Sequence, residues 1–92
     1  MMRITNKSAV HSILLGLQHF NVKHIVYSPG SRNAPFAISL QDNEAFEVHV
    51  VVDERSAAFI ALGMAQQLKM PVALICTSGT APLNYSPAIA EA

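Results

Sequence analysis

The chain has 92 residues, enough for one small domain, and at this size only about 60–65% of the surface exposed by the unfolded chain becomes buried. Hydrophobic residues make up 51% and charged residues 13%, against roughly 25% charged in an ordinary soluble domain, so part of the surface is expected to be covered by further chain or by a partner subunit. Six Lys and Arg offset six Asp and Glu, which leaves no basic field for a nucleic-acid backbone or an anionic membrane.

No apolar run approaches the roughly 20 residues of a membrane span. The start, Met1-Met2-Arg3-Ile4-Thr5, lacks the apolar centre of an export signal, which makes the cytoplasm the default location. The single cysteine, Cys76, lies in an apolar run and reads as a buried, inert thiol.

Thr5 or Asn6 is placed to cap a first helix, in which Val10, Ile13, Leu14 and Leu17 fall on one stripe. Asn21 closes it, and His24-Ile25-Val26-Tyr27-Ser28 reads as a strand halted by Pro29-Gly30. Asn33 is expected to cap a short second helix with Pro35 in its first turn. Phe46 to Val52 is rich in β-branched residues, which predicts a second strand inside a sheet rather than one with a wet face. Asp53 is expected to cap a third helix. From Ala57 to Ala65 that helix carries no charge, so it should be buried all round, and Gly63 marks it as an interface helix. Lys69-Met70-Pro71 ends it. Val72 to Cys76 is the third strand, then Thr77-Ser78-Gly79-Thr80 and a helix from about Ala81-Pro82. The chain stops at Ala90-Glu91-Ala92 without a helix stop signal, as though cut inside a helix.

Strands alternating with helices predict an α/β fold, a parallel sheet with helices on both faces. Parallel strands put three turns on one rim, the carboxyl edge where open α/β sheets bind ligands. Each turn also has a plainer reading. Ser31 and Arg32 offer a hydroxyl and a guanidinium fork suited to carboxylates, but such turns are common connectors. The Thr77–Thr80 hydroxyls line a cleft or simply cap the next helix. Glu54 is a favourable partner for a helix dipole, an effect of about 0.3–1 kcal/mol, or a desolvated acid seeking a cation or a protonated heterocycle. The histidines His11, His19, His24 and His49 show no close ligand spacing, so no metal site is expected. Dinucleotide and phosphate-loop glycine motifs are missing.

Taken together, Ser28-Pro29-Gly30-Ser31-Arg32, Asp53-Glu54-Arg55 with Ala61-Leu62-Gly63-Met64-Ala65, and Thr77-Ser78-Gly79-Thr80-Ala81 resemble the pyrimidine-binding domain of thiamine-diphosphate enzymes. The resemblance spans nearly all of the chain and is strongest to the carboligases of menaquinone biosynthesis. It implies that residues 1–92 are a partial pyrimidine-binding domain. Glu54 would hydrogen-bond the aminopyrimidine ring and favour its imino form, which deprotonates the thiazolium carbon and leaves a carbanion-stabilising ylide. Ser31 and Arg32 would contact the acidic substrates, 2-oxoglutarate and isochorismate, and Thr77, Ser78 and Gly79 would lie beside the cofactor. The resemblance also implies a homodimer that holds thiamine diphosphate between subunits, with Mg2+ or Mn2+ ligands outside these residues, so that the chain alone is inactive. An acetolactate-synthase-like enzyme, a non-catalytic α/β interaction module and a flavodoxin-like binder of phosphorylated ligands stay open as alternatives.

Overall fold

The computed structural model describes residues 8–30, 33–41 and 43–92. Their order is α1 (Ser8–His19), β1 (His24–Tyr27), α2 (Ala34–Leu40), β2 (Glu47–Val50), α3 (Glu54–Leu68), β3 (Ala73–Ile75), a 3-10 helix (Ala81–Tyr85) and α4 (Ser86–Glu91). The expected α/β alternation is present, with the last helix divided into a 3-10 and an α segment. The expected cap of α1, Thr5 or Asn6, lies outside the described residues, as do Ser31 and Arg32.

The three strands form one parallel sheet in the order β2-β1-β3. His24 pairs with Glu47 and Tyr27 with Val50 on one side of β1. On the other side Ile25 pairs with Ala73 and Tyr27 with Ile75. Because successive residues of a strand point to opposite faces, β1 serves two cores. Ile25 and Tyr27 pack with Val10 and Leu14 of α1, Leu40 of α2 and Phe46. Val26 packs on the opposite face with Ala57 and Ala61 of α3, flanked by Val51, Met64 and Leu74. Helices therefore cover both faces, and β1, buried on both, reads as the continuous apolar run expected of a central parallel strand.

One expectation is corrected here. The run from Phe46 to Val52 is an edge strand, not an interior one: it pairs only with β1 among the described strands, and Val50 and Val52 are 65% and 75% exposed. Its apolar character reflects a buried start, Phe46, and the packing of Val48 and Val51 on the two cores. Helix α3 is not enclosed by the described residues alone, and the cover expected of it from outside the chain stays an expectation. Small alanines at positions 57, 58 and 61 let it lie close on the sheet, while Phe59 and Ile60 remain 40% and 44% exposed beside the exposed Gly63.

Helix ends follow local chemistry. Asn21 and Lys69 take positive φ values of 61° and 54° just past α1 and α3, the left-handed stop conformation that terminates many helices. The Asp53 carboxylate accepts hydrogen bonds from the Ser56 N–H at 2.9 Å and the Ser56 hydroxyl at 2.8 Å, so the expected cap of α3 is present.

Candidate active site at the carboxyl ends of the strands

Since all three strands run the same way, the turns after β1, β2 and β3 meet on one rim. Ser28, fully buried, fastens them together. Its N–H donates to the Ile75 carbonyl at 2.8 Å and its hydroxyl donates to the Val51 carbonyl at 2.7 Å, so one residue after the central strand links the ends of both neighbours. The Val51 N–H adds a bond to the Tyr27 carbonyl at 3.0 Å.

Asn33 holds the first turn in shape by a means the sequence did not suggest. It occupies the cap position of α2, but its side chain makes no cap hydrogen bond. Instead its amide donates to the Ser28 carbonyl at 2.9 Å, while Oδ1 accepts from the Gly30 N–H at 3.0 Å and the Tyr27 hydroxyl at 2.7 Å. A buried amide facing a turn satisfies three partners there, more than a cap offers. Burial pushes the Tyr27 phenol above its ordinary value, which keeps it a neutral donor to Asn33.

The first and third turns touch where Gly30 meets Thr77. A Cβ on Gly30 would lie 2.6 Å from the Thr77 Cβ, an atom fixed by its own backbone, so only glycine allows this approach. Gly79 has φ +88°, a left-handed conformation that suits glycine, and it turns the chain from β3 toward the 3-10 helix. Thr80 stands at that helix's cap position without a side-chain cap hydrogen bond, so capping does not account for this hydroxyl.

Glu54 opens α3 at the end of β2 and is half-buried. Its neighbours Asp53 and Arg55 are exposed. Glu54 makes no hydrogen bond or ion pair with the described residues, but it acts electrostatically on Tyr85, in the 3-10 helix after the third turn. Burial drives the Tyr85 phenol well above the ordinary tyrosine range, and the Cys76 thiol and the Glu54 charge raise it further. The hydroxyl is enclosed yet has no hydrogen-bond partner among the described residues; Cys76 lies close enough to influence it, but not in hydrogen-bonding geometry. Cys76 is thus half-buried beside a phenol rather than sealed in the core.

Of the residues singled out from sequence, the structure brings Glu54 and the Thr77–Gly79 turn onto the rim that Ser28 and Gly30 begin. Ser31 and Arg32 lie outside the described residues. Three contributors were missed: Asn33 as a brace, Ser28 as a three-strand fastener, and Tyr85. The last carried a usable signal, a tyrosine in an apolar segment after a strand-end turn, because a buried phenol needs a partner for its hydroxyl.

With this geometry in place, comparison with known proteins is decisive. A family model described as "Thiamine pyrophosphate enzyme, N-terminal TPP binding domain" matches residues 7–92. The chain belongs to this thiamine pyrophosphate enzyme family. Relatives that carry the name 2-succinyl-5-enolpyruvyl-6-hydroxy-3-cyclohexene-1-carboxylate synthase include proteins of three organisms. The protein from Christiangramia forsetii is 61% identical over 72 residues, covering 78% of this chain and 12% of its own length. The one from Flavobacterium psychrophilum is 65% identical over 69 residues, covering 75% and 12%. The one from Vibrio campbellii is 47% identical over 89 residues, covering 97% and 16%. The chain therefore spans well under a fifth of the length of these curated relatives. Among the described residues no helix is long and apolar enough to cross a membrane.

Proposed function

We propose that residues 1–92 are part of the pyrimidine-binding domain of a longer, homo-oligomeric thiamine-diphosphate-dependent transferase acting in menaquinone biosynthesis. It decarboxylates 2-oxoglutarate and joins the remaining unit to isochorismate. The relatives' name supports this choice of substrates: a 2-succinyl group is the four-carbon remainder of a five-carbon 2-oxo diacid that has lost carbon dioxide. The acetolactate-synthase-like alternative gains no support from the three relatives, which share one synthase name.

The observation that carries the proposal is Glu54, a half-buried acid without a described partner, opening a helix on the carboxyl rim of a chain that belongs to this family. The residues present fit an aminopyrimidine. A half-buried carboxylate without a partner among the described residues is a group that a ring bearing hydrogen-bond donors can satisfy. Glu54 would hold a proton at the ring nitrogen, with Thr77, Ser78 and Gly79 beside the cofactor. Bound thiamine diphosphate supplies the electron sink for the carbanion left by decarboxylation. Ser31 and Arg32 would grip the substrate carboxylates, a task suited to a guanidinium fork. The exposed apolar residues of α3, Phe59 and Ile60, would be covered by a second subunit and so keep water from the Glu54 end of the helix. Mg2+ or Mn2+ would be held against the diphosphate by residues outside this chain.

The test uses the full-length protein that contains this chain, supplied with thiamine diphosphate and Mg2+, and follows carbon dioxide release from 2-oxoglutarate. Glu54→Gln should lower turnover by about 10²–10⁴-fold, the usual range for loss of a positioned proton-transfer group, with an unchanged circular dichroism spectrum. Undiminished turnover would reject the assignment.

A further inference from the structure

The opposite end of the sheet carries a second cluster. His24 opens β1, Glu47 opens β2, and His49 stands two residues further along β2. His24 pairs in register with Glu47, and Val26 with His49, so alternation puts all three side chains on the face that packs under α3. Their ligand atoms lie within 4.8 Å of one another. His24 Nδ1 is 3.4 Å from His49 Nε2 and 3.5 Å from Glu47 Oε2. Nothing local signals this cluster, because His24 and His49 are 25 positions apart and only strand pairing brings them together.

We infer that His24, His49 and Glu47 form a binding site for a divalent transition-metal ion of the zinc class. Two donor atoms each about 2.0–2.1 Å from a tetrahedral ion lie about 3.3–3.4 Å apart, which matches both short separations. Hydrogen bonding accounts for the cluster less well. His24 Nδ1 is the shared atom of both contacts, and a ring nitrogen carries at most one hydrogen. Protonated, it can direct that hydrogen along only one of the two contacts. Bare, it faces a carboxylate oxygen lone pair. A cation among the three groups satisfies them all, and Glu47, with its side chain 68% exposed, is free to rotate and close the remaining gap. Two imidazoles and one carboxylate select zinc-like ions over Mg2+ and Ca2+, which prefer oxygen-rich sites. A water would complete a four-coordinate shell. Such an ion would clamp the exposed edge strand β2 to the central strand β1.

The experiment measures Zn2+ stoichiometry in the full-length protein containing this chain, by competition with a chromophoric chelator in the presence of millimolar Mg2+. The double substitution His24→Ala/His49→Ala should remove one zinc equivalent, and Glu47→Gln should weaken that equivalent at least tenfold. Glu47 is an exposed side chain, so its variant reports on the site even where the double variant folds poorly. Zinc X-ray absorption on the unaltered protein should show two imidazole ligands on that ion. Unchanged stoichiometry and affinity in folded variants, or a zinc shell lacking two imidazoles, would overturn the inference.

Discussion

At the carboxyl ends of the strands the chemically capable side chains ride on turns, whereas at the amino ends His24, Glu47 and His49 stand on the strands themselves. The first arrangement needs bracing, and Ser28, Asn33 and the Gly30–Thr77 contact supply it. The second needs none beyond register, because the hydrogen-bond ladder between β1 and β2 sets which side chains meet. A one-residue slip of β2 would carry Glu47 and His49 to the other face, so the amino-end cluster is a direct readout of sheet register. The carboxyl rim is a readout of turn geometry. Different substitutions should therefore disable each.

The largest effect separating the two ends is the activity lost with Glu54→Gln, which should leave zinc stoichiometry at the His24–His49 cluster untouched. Next, Asn33→Ala removes one buried amide that serves Ser28, Gly30 and Tyr27. It should cost about 2–3 kcal/mol in chemical denaturation, since buried partners are left unsatisfied. A cost under about 0.5 kcal/mol would mean that the first turn is held by something else. Gly30→Ala forces its new Cβ against the Thr77 Cβ and should destabilise by about 1–3 kcal/mol, while loosening the first turn against the third. Tyr85→Phe deletes a hydroxyl that has been desolvated without gaining a partner. It should raise the denaturation midpoint of the cofactor-free protein, by about 1 kcal/mol in stability.

The smallest effect concerns acid. Hydrogen bonds from the Ser56 N–H and then the Ser56 hydroxyl, with help from the Arg55 charge, hold the Asp53 carboxyl below its ordinary value. A lowered folded-state value means that the cap contributes fully above about pH 4–5 and loses its contribution as pH falls through that lowered value. Asp53→Asn should thus lower thermal stability slightly at neutral and alkaline pH and flatten the acid side of the profile, the two proteins converging as pH falls below that lowered value.

Much of the fold was legible because it rests on local signals. Pro29-Gly30, Asp53 and Lys69-Met70-Pro71 mark element ends through backbone chemistry that acts over a few residues, and the alternation of elements implies parallel strands. Glu54 and the Thr77 turn were legible for the same reason, each following a recognisable strand. What stayed hidden depends on pairing between distant segments. Nothing local tells an edge strand from a central one when both are rich in valine, so β2 was misplaced. Asn33 reads as a cap because capping is the commonest local use of asparagine before a helix, and its true partners come from β1 and the turn after it. The His24–Glu47–His49 cluster lies furthest from view, since it requires both the strand order and the register.

The most direct measurement is a crystal structure of the full-length protein with thiamine diphosphate and Mg2+ bound. The account predicts a Glu54 carboxylate oxygen within about 2.5–3.0 Å of the aminopyrimidine ring nitrogen, the range of a strong hydrogen bond. A Glu54 side chain directed away from the cofactor, with the pyrimidine held elsewhere, would contradict it.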